Sequence, residues 1–306
     1  MSILFKEYVS SGPGIAKDAP KKKGIALFFQ ILFSKAWLIG GVNLIHYLFV
    51  LPLTLGLAAI SFIRNQDILI AVLAVLAVVF AVIIGPATAG MATVIRKFVI
   101  QKHTFIFRDF FKGFRTNFKK ASIIGILDFF IYASAAASLY VYPKMAQALN
   151  NKLFYAAMVI TLSLALVITM MNFYIWPMLV ATDLSLKDVL KNSFALSFVG
   201  MKINLITFVI CAFIVIGMAA LLLVPSAFMM LIPFIPAALI CFIATFNCYP
   251  VIQKYVIDPY YTRLGKVNPE RINDADAVEE ETLFEDMGGK EKPIVPEKKS
   301  KPKRIS

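Results

Sequence analysis

Two ionisable residues, His46 and Asp128, stand inside long apolar runs of this chain. Ionisable side chains within membrane-spanning helices are candidate sites for moving protons or binding ions. Asp128 sits among Ile123, Ile124, Ile126, Leu127, Phe129, Phe130 and Ile131. Carrying an Asp to the centre of a span costs about 2.5 to 3.5 kcal/mol, and each neighbouring Ile, Leu or Phe returns about 0.3 to 0.6 kcal/mol. The neighbours therefore offset the cost, and a partner for the acid is favoured. Counted from the expected inner ends of their helices, His46 lies roughly ten residues deep and Asp128 roughly seven, close enough in depth to meet if the helices adjoin. Three readings fit: a proton relay or ion site, a satisfied structural pair, or an Asp wetted near the inner interface. Asn43, Asn172, Asn204 and Asn247 add polarity that can bond between helices.

Other chemistry lacks its residues. The sequence has no His-Glu-x-x-His, Gly-x-Ser-x-Gly, P-loop or Cys-x-x-Cys pattern, so no enzyme, cofactor or metal centre is expected. Cys211, Cys241 and Cys248 fall within apolar runs and read as small buried residues.

The elements that must position His46 and Asp128 are membrane helices. The chain has 306 residues, 59% of them hydrophobic and 16% charged, and a mean hydropathy of +0.78, more apolar surface than a soluble core of this size uses. The expected fold is an all-α, polytopic transmembrane bundle. Its six spans are predicted at residues 36–60, 68–84, 121–142, 153–180, 203–224 and 227–251. Pro233 and Pro236 are expected to interrupt the last of them, and broken helices mark many transporter sites. Ala77, Ala81, Gly85 and Ala89 recur every four residues and predict a close helix–helix approach; Ala133 and Ala137, with Ser134 and Ser138, predict another.

Two amphipathic helices are predicted between spans. In the first, Phe107, Phe110, Phe111, Phe114 and Phe118 share a face suited to acyl chains, while Arg108, Lys112, Arg115 and Lys119 gather on the flank. In the second, Lys187 and Lys191 take corresponding places. These six cations are candidates for docking anionic lipid headgroups or a partner protein. Basic residues concentrate in the segments that are cytoplasmic if the N-terminus is, which predicts a multi-pass protein of the cell membrane with both termini inside. From Lys254 to Ser306 acids and bases balance, so the net charge of +13 lies before Lys254, in the lead and in and between the spans. Nucleic acid is not an expected partner; the inner membrane surface is, along with a membrane transporter or a second copy of the chain.

Residues 1–35 are expected to form a cytoplasmic lead, with 24–34 resting on the membrane, 36–252 the bundle, and 253–306 a polar, disordered tail. Phe107-Arg-Asp-Phe-Phe-Lys112 and Leu186-Lys-Asp-Val-Leu-Lys191 match class for class, each following a span with a proline (Pro86, Pro177) and preceding one that ends at proline (Pro143, Pro225). They suggest a parallel repeat of 68–143 and 153–225.

Several motifs occur in an order that resembles the YesL-like integral membrane proteins of Gram-positive bacteria. They are Asn43-Leu44 with Leu51-Pro52-Leu53, Gly85-Pro-Ala-Thr-Ala89 leading to Arg96-Lys97, Phe107 to Gly113, Asn117-Phe118-Lys119, Asp183 to Lys187, Leu190-Lys-Asn-Ser193 and the stretch from Pro250 to Tyr261. The resemblance implies no established activity and no catalytic residues. Such genes often lie near those of carbohydrate uptake and breakdown, which implies an accessory role in sugar utilisation. The expected function is thus a non-enzymatic membrane accessory protein associated with carbohydrate uptake; the alternatives are an autonomous small-solute or proton-coupled transporter using His46 and Asp128, and a membrane-state sensor.

Overall fold

In a computed structural model, the structure describes residues 23–59, 62–220 and 236–270. These residues are helical in all their regular structure, with no strand among them. The helices are α1 (Gly24–Ala59), α2 (Gln66–Val99), α3 (Ile106–Thr116), α4 (Phe118–Ala148), α5 (Leu153–Ala181), α6 (Leu186–Val199), α7 (Met201–Ala220), α8 (Pro236–Ile252) and α9 (Asp258–Arg263), with a π-helical turn at Gln253–Ile257 before α9. Six of these helical runs are long and apolar enough to cross a membrane: α1, α2, α4, α5, α7 and the stretch from Pro236 to Arg263. The protein is a multi-pass membrane helix bundle.

Two spans are longer than composition suggests. α1 has 36 residues and α2 has 34, so each runs roughly 50 Å against a hydrocarbon core of about 30 Å. Residues 24–34, expected to rest on the membrane, are instead the first turns of α1. They are held there by packing: Ile31 is buried, and the Phe28 ring lies 5.2 Å from those of both Phe242 and Phe246 on α8. α2 is started by Asn65, whose Oδ1 accepts the N–H groups of Asp67 (2.9 Å) and Ile68 (3.2 Å), satisfying donors that a helix N-terminus leaves open.

The spacing of small residues on α2 meets α4. Ala81, Gly85 and Ala89 are buried, and a Cβ on Gly125 of α4 would stand 2.9 Å from the Ala81 carbonyl oxygen and 3.0 Å from the Gly85 Cα. Glycine is required because the two backbones touch. The second predicted stripe behaves differently: Ala133, Ser134 and Ala137 are exposed, and of that set Ser138 alone is buried.

Long, short, long is the order of α2–α3–α4 and again of α5–α6–α7, with single-residue junctions before α4 and α7. Asn117 (φ −100°, ψ 7°) and Gly200 (φ −91°, ψ 19°) have nearly the same backbone conformation. The prolines do not keep register, because α2 continues far past Pro86 while α5 ends soon after Pro177. Pro236 is the first described residue of α8, so the expected interruption at Pro233 and Pro236 falls at the edge of the described residues. Pro225, Pro233 and the ends of the expected spans at 203–224 and 227–251 lie outside the described residues, as do residues 1–22 of the expected lead and 271–306 of the expected tail.

The chain divides into two units, 1–260 and 261–306. In the described part of the second, Gly265 takes φ +64°, and the Gly265 and Lys266 N–H groups return to the Thr262 and Tyr261 carbonyls at 3.0 Å each. That is a helix-ending turn which glycine adopts without strain.

Candidate functional site

Five helices, α1, α2, α4, α5 and α8, surround a cavity of about 590 Å³. His46 and Asp128 both line it, from α1 and α4. Sharing a wall does not make them a pair. His46 Nε2 lies 3.4 Å from Thr88 Oγ1 on α2, a long contact, and the Thr88 hydroxyl donates to the Ile84 carbonyl at 2.9 Å. Asp128 Oδ1 accepts from Asn172 Nδ2 on α5 at 3.0 Å.

The Asp128 side of the cavity is an ordered polar line. Asn172 Nδ2 also reaches the Tyr132 hydroxyl at 3.3 Å, and Tyr132 lies 3.0 Å from Thr169 Oγ1. Thr169 donates its own proton to the Ala165 carbonyl, so Tyr132 donates to Thr169 and accepts from Asn172. Every donor in this line is used. Among its acceptors, Asn172 Oδ1 is buried and has no hydrogen-bond partner. A buried polar atom without a partner is costly, and here it belongs to a residue lining a cavity beside a carboxylate. The rest of the lining is mainly apolar and aromatic, with Phe80, Phe129, Phe173 and Trp176 among it.

Helical spacing explains how these residues converge. Asp128 and Tyr132 are i and i+4 on α4, and Thr169, Asn172, Phe173, Trp176 and Pro177 follow the i, i+3, i+4, i+7, i+8 stripe of one α5 face. Tyr132, Thr169 and Trp176 are site residues that the sequence analysis passed over. The signal was that polar stripe on an otherwise apolar helix. The remaining asparagines bridge helices elsewhere: Asn43 Oδ1 accepts the Ala238 N–H in the first turn of α8 (2.8 Å), and Asn247 donates to Thr207 (2.9 Å). Asn204 accepts from the Tyr174 hydroxyl (2.6 Å) and donates to the Ser197 carbonyl (2.8 Å). Among the described residues no group of three His, Cys, Asp or Glu side chains could hold a metal ion.

The basic residues form a separate region. Arg108, Lys112, Arg115, Lys119, Lys187 and Lys191 are all exposed. The two stretches that carry them lie at the same end of the bundle, since Lys120 at the start of α4 donates to the Leu184 carbonyl before α6 at 2.7 Å. The aromatic face of α3 is divided, which corrects the expectation that all five rings turn outward. Phe110 is fully buried and Phe114 half-buried, their centroids 6.0 and 5.1 Å from that of Phe49 on α1. Phe107 (69%), Phe111 (40%) and Phe118 (39%) remain exposed. Asp109, also missed, ties that face to α2. It forms a 2.8 Å ion pair with Lys97 of α2 and accepts the Phe105 N–H at 3.0 Å, closing the first turn of α3 and pulling that face into the bundle. Burial alone would raise the Asp109 carboxyl, but the Lys97 and Phe105 hydrogen bonds and the charges of Lys97 and Arg108 hold it below the ordinary carboxylate value.

Comparison with known proteins reaches part of this architecture. Residues 39–139 match a family described as "Protein of unknown function, DUF624". The match covers His46, Asp128, the Gly85–Gly125 contact and the whole of α3, and stops short of α5, which supplies Asn172 and Trp176. Neither a curated protein nor a solved structure matches the chain.

Proposed function

We propose that this chain is a non-enzymatic protein of the cell membrane that binds a small solute inside its bundle, in the cavity between His46 and the Asp128–Asn172–Tyr132–Thr169 line. The observation that carries this reading is the Asp128 carboxylate, hydrogen-bonded on one oxygen by Asn172, in the wall of a cavity large enough for a small molecule. Intramembrane polar groups that face a cavity rather than each other suit a solute pathway. Autonomous transport is accordingly the activity the geometry favours. In this reading α3 and α6 lie at the cytoplasmic face, since the basic segments cluster at their end and the positive-inside rule puts such segments inside.

A second reading has its own support. The six exposed cations at one end of the bundle suit anionic headgroups or an acidic partner surface. The YesL-like order of motifs, of which the family match supports the coarser part, implies an accessory role in carbohydrate uptake. Mild-detergent purification of the tagged protein followed by native mass spectrometry separates the two. The transporter reading expects a low-mass species held by the parent chain and lost in Asp128→Asn at unchanged expression. A stoichiometric membrane protein, with no low-mass species, would replace it with the accessory reading.

A further inference from the structure

We infer that the solute taken by this cavity is a lipophilic organic cation bearing at least one N–H, its charged nitrogen held by the Asp128 carboxylate against an aromatic wall. The assignment rests on the cavity being the binding site proposed above and names the chemistry of its occupant.

Donor and acceptor accounting leads there. Asn172 Nδ2 serves Asp128 and Tyr132, and the Tyr132 proton goes to Thr169. What the line presents to the cavity is therefore acceptor capacity: the remaining lone pairs of the Asp128 carboxylate, of which only Oδ1 is engaged by Asn172. A ligand that completes it must donate. A carboxylate in apolar surroundings also selects a positive donor over a neutral one.

The walls decide which kind of cation. A transition-metal ion is held by several His, Cys or carboxylate ligands, and among the described residues no group of three His, Cys, Asp or Glu side chains could hold one. Phe80, Phe129, Tyr132, Phe173 and Trp176 instead line the same cavity as the carboxylate. Aromatic side chains attract weakly hydrated organic cations through their quadrupoles and bury the apolar remainder of the ligand. A free sugar, with hydroxyls on every side, would leave most of them unmatched against this lining.

The chain contains two tryptophans, Trp37 and Trp176, and Trp37 is 88% exposed. Trp37→Phe thus leaves a single indole in the cavity wall as a reporter. In nanodiscs of neutral lipid, the full chain carrying Trp37→Phe is titrated with phenylbutylamine, its N-trimethylated form, and phenylbutanol. The expected result is a saturable change in Trp176 emission, with the amine half-saturating at a concentration at least tenfold below the alcohol and below the trimethylated form, and the amine's advantage gone in Asp128→Asn. Equal binding of amine and alcohol overturns the cation while leaving the cavity as a binding site. Equal binding of the amine and its trimethylated form overturns the N–H requirement. No change with any of the three overturns the inference and the site together. The amine-to-alcohol ratio is read on the parent chain, so it decides the matter even if Asp128→Asn fails to fold.

Discussion

The trios α2–α3–α4 and α5–α6–α7 share an order, a sequence pattern and a junction geometry, yet they are held together differently. In the first, the two long helices lie directly against each other at Gly85 and Gly125. In the second, α5 and α7 scarcely meet, and α8 packs against both. The short helices diverge in the same sense. Phe110 and Val189 occupy matching positions and are both fully buried, but Asp109 reaches across to Lys97 while Asp188 turns back to its own cap, Ser185, at 2.5 Å. The reason sits two residues before the helix end: Lys97 in α2, Leu179 in α5. Where the second trio lacks that charge, Tyr174, Asn204 and Cys248 form a neutral buried cluster. A shared pattern thus permits a sealed seam in one trio and an opened one in the other, and the cavity is lined by α2 and α4 of the first and by α5 of the second.

The largest expected effect is on the sealed seam. Gly125→Val should cost about 3 kcal/mol or more, because backbone atoms cannot give way, whereas Ala133→Val two turns along the same helix should change thermal stability in detergent by less than about 0.5 kcal/mol. Equal tolerance at the two positions would contradict the contact.

Next comes the charged tether. Asp109→Ala should cost about 1.5 to 3 kcal/mol, the usual range for a hydrogen bond to a charged group, and should raise hydrogen exchange across residues 105–116. Since the folded carboxyl titrates below its ordinary value, its stabilisation is complete above that ordinary value and is lost as pH falls through the folded one. Acid should therefore loosen α3, and Asp109→Ala should remove that acid response; an unchanged response in the variant would contradict the tether.

A smaller loss, about 1 kcal/mol, is expected for Tyr174→Phe, visible as a lower unfolding temperature with the α3 exchange pattern unchanged. Smallest in stability is the joint reversal Lys187→Glu and Lys191→Glu, within about 0.5 kcal/mol. It should nonetheless reduce the anionic lipid retained on purification, each cation contributing roughly 1 kcal/mol near such a surface.

The helices were legible because apolar runs near membrane length have few other uses, and His46 and Asp128 were legible because charge in such runs is conspicuous. Their relation was not. Depth along a helix can be counted from sequence, but azimuth depends on which neighbours a helix chooses, and that choice set His46 toward Thr88 and Asp128 toward Asn172. Hydrophobic periodicity likewise gave the aromatic face of α3 but not its destination. A ring that suits lipid also suits a bundle, and the deciding group was an aspartate whose partner lies twelve residues earlier on another helix. Asn172 read as a bridging residue, and it does bridge; its open carbonyl oxygen became visible only once every other donor around it had been assigned.

The central claim is that the cavity, rather than the lipid-facing exterior, receives solute. A small aryl diazirine added to the protein in nanodiscs and activated by light would mark where such a molecule resides, read by peptide mass spectrometry. The account predicts saturable labelling concentrated on α4 and α5 around Asp128, Tyr132 and Trp176, suppressed by excess unlabelled arylalkyl compound. Labelling spread over exposed exterior positions such as Phe33 and Trp37 of α1, with no saturable component at α4 or α5, would contradict it.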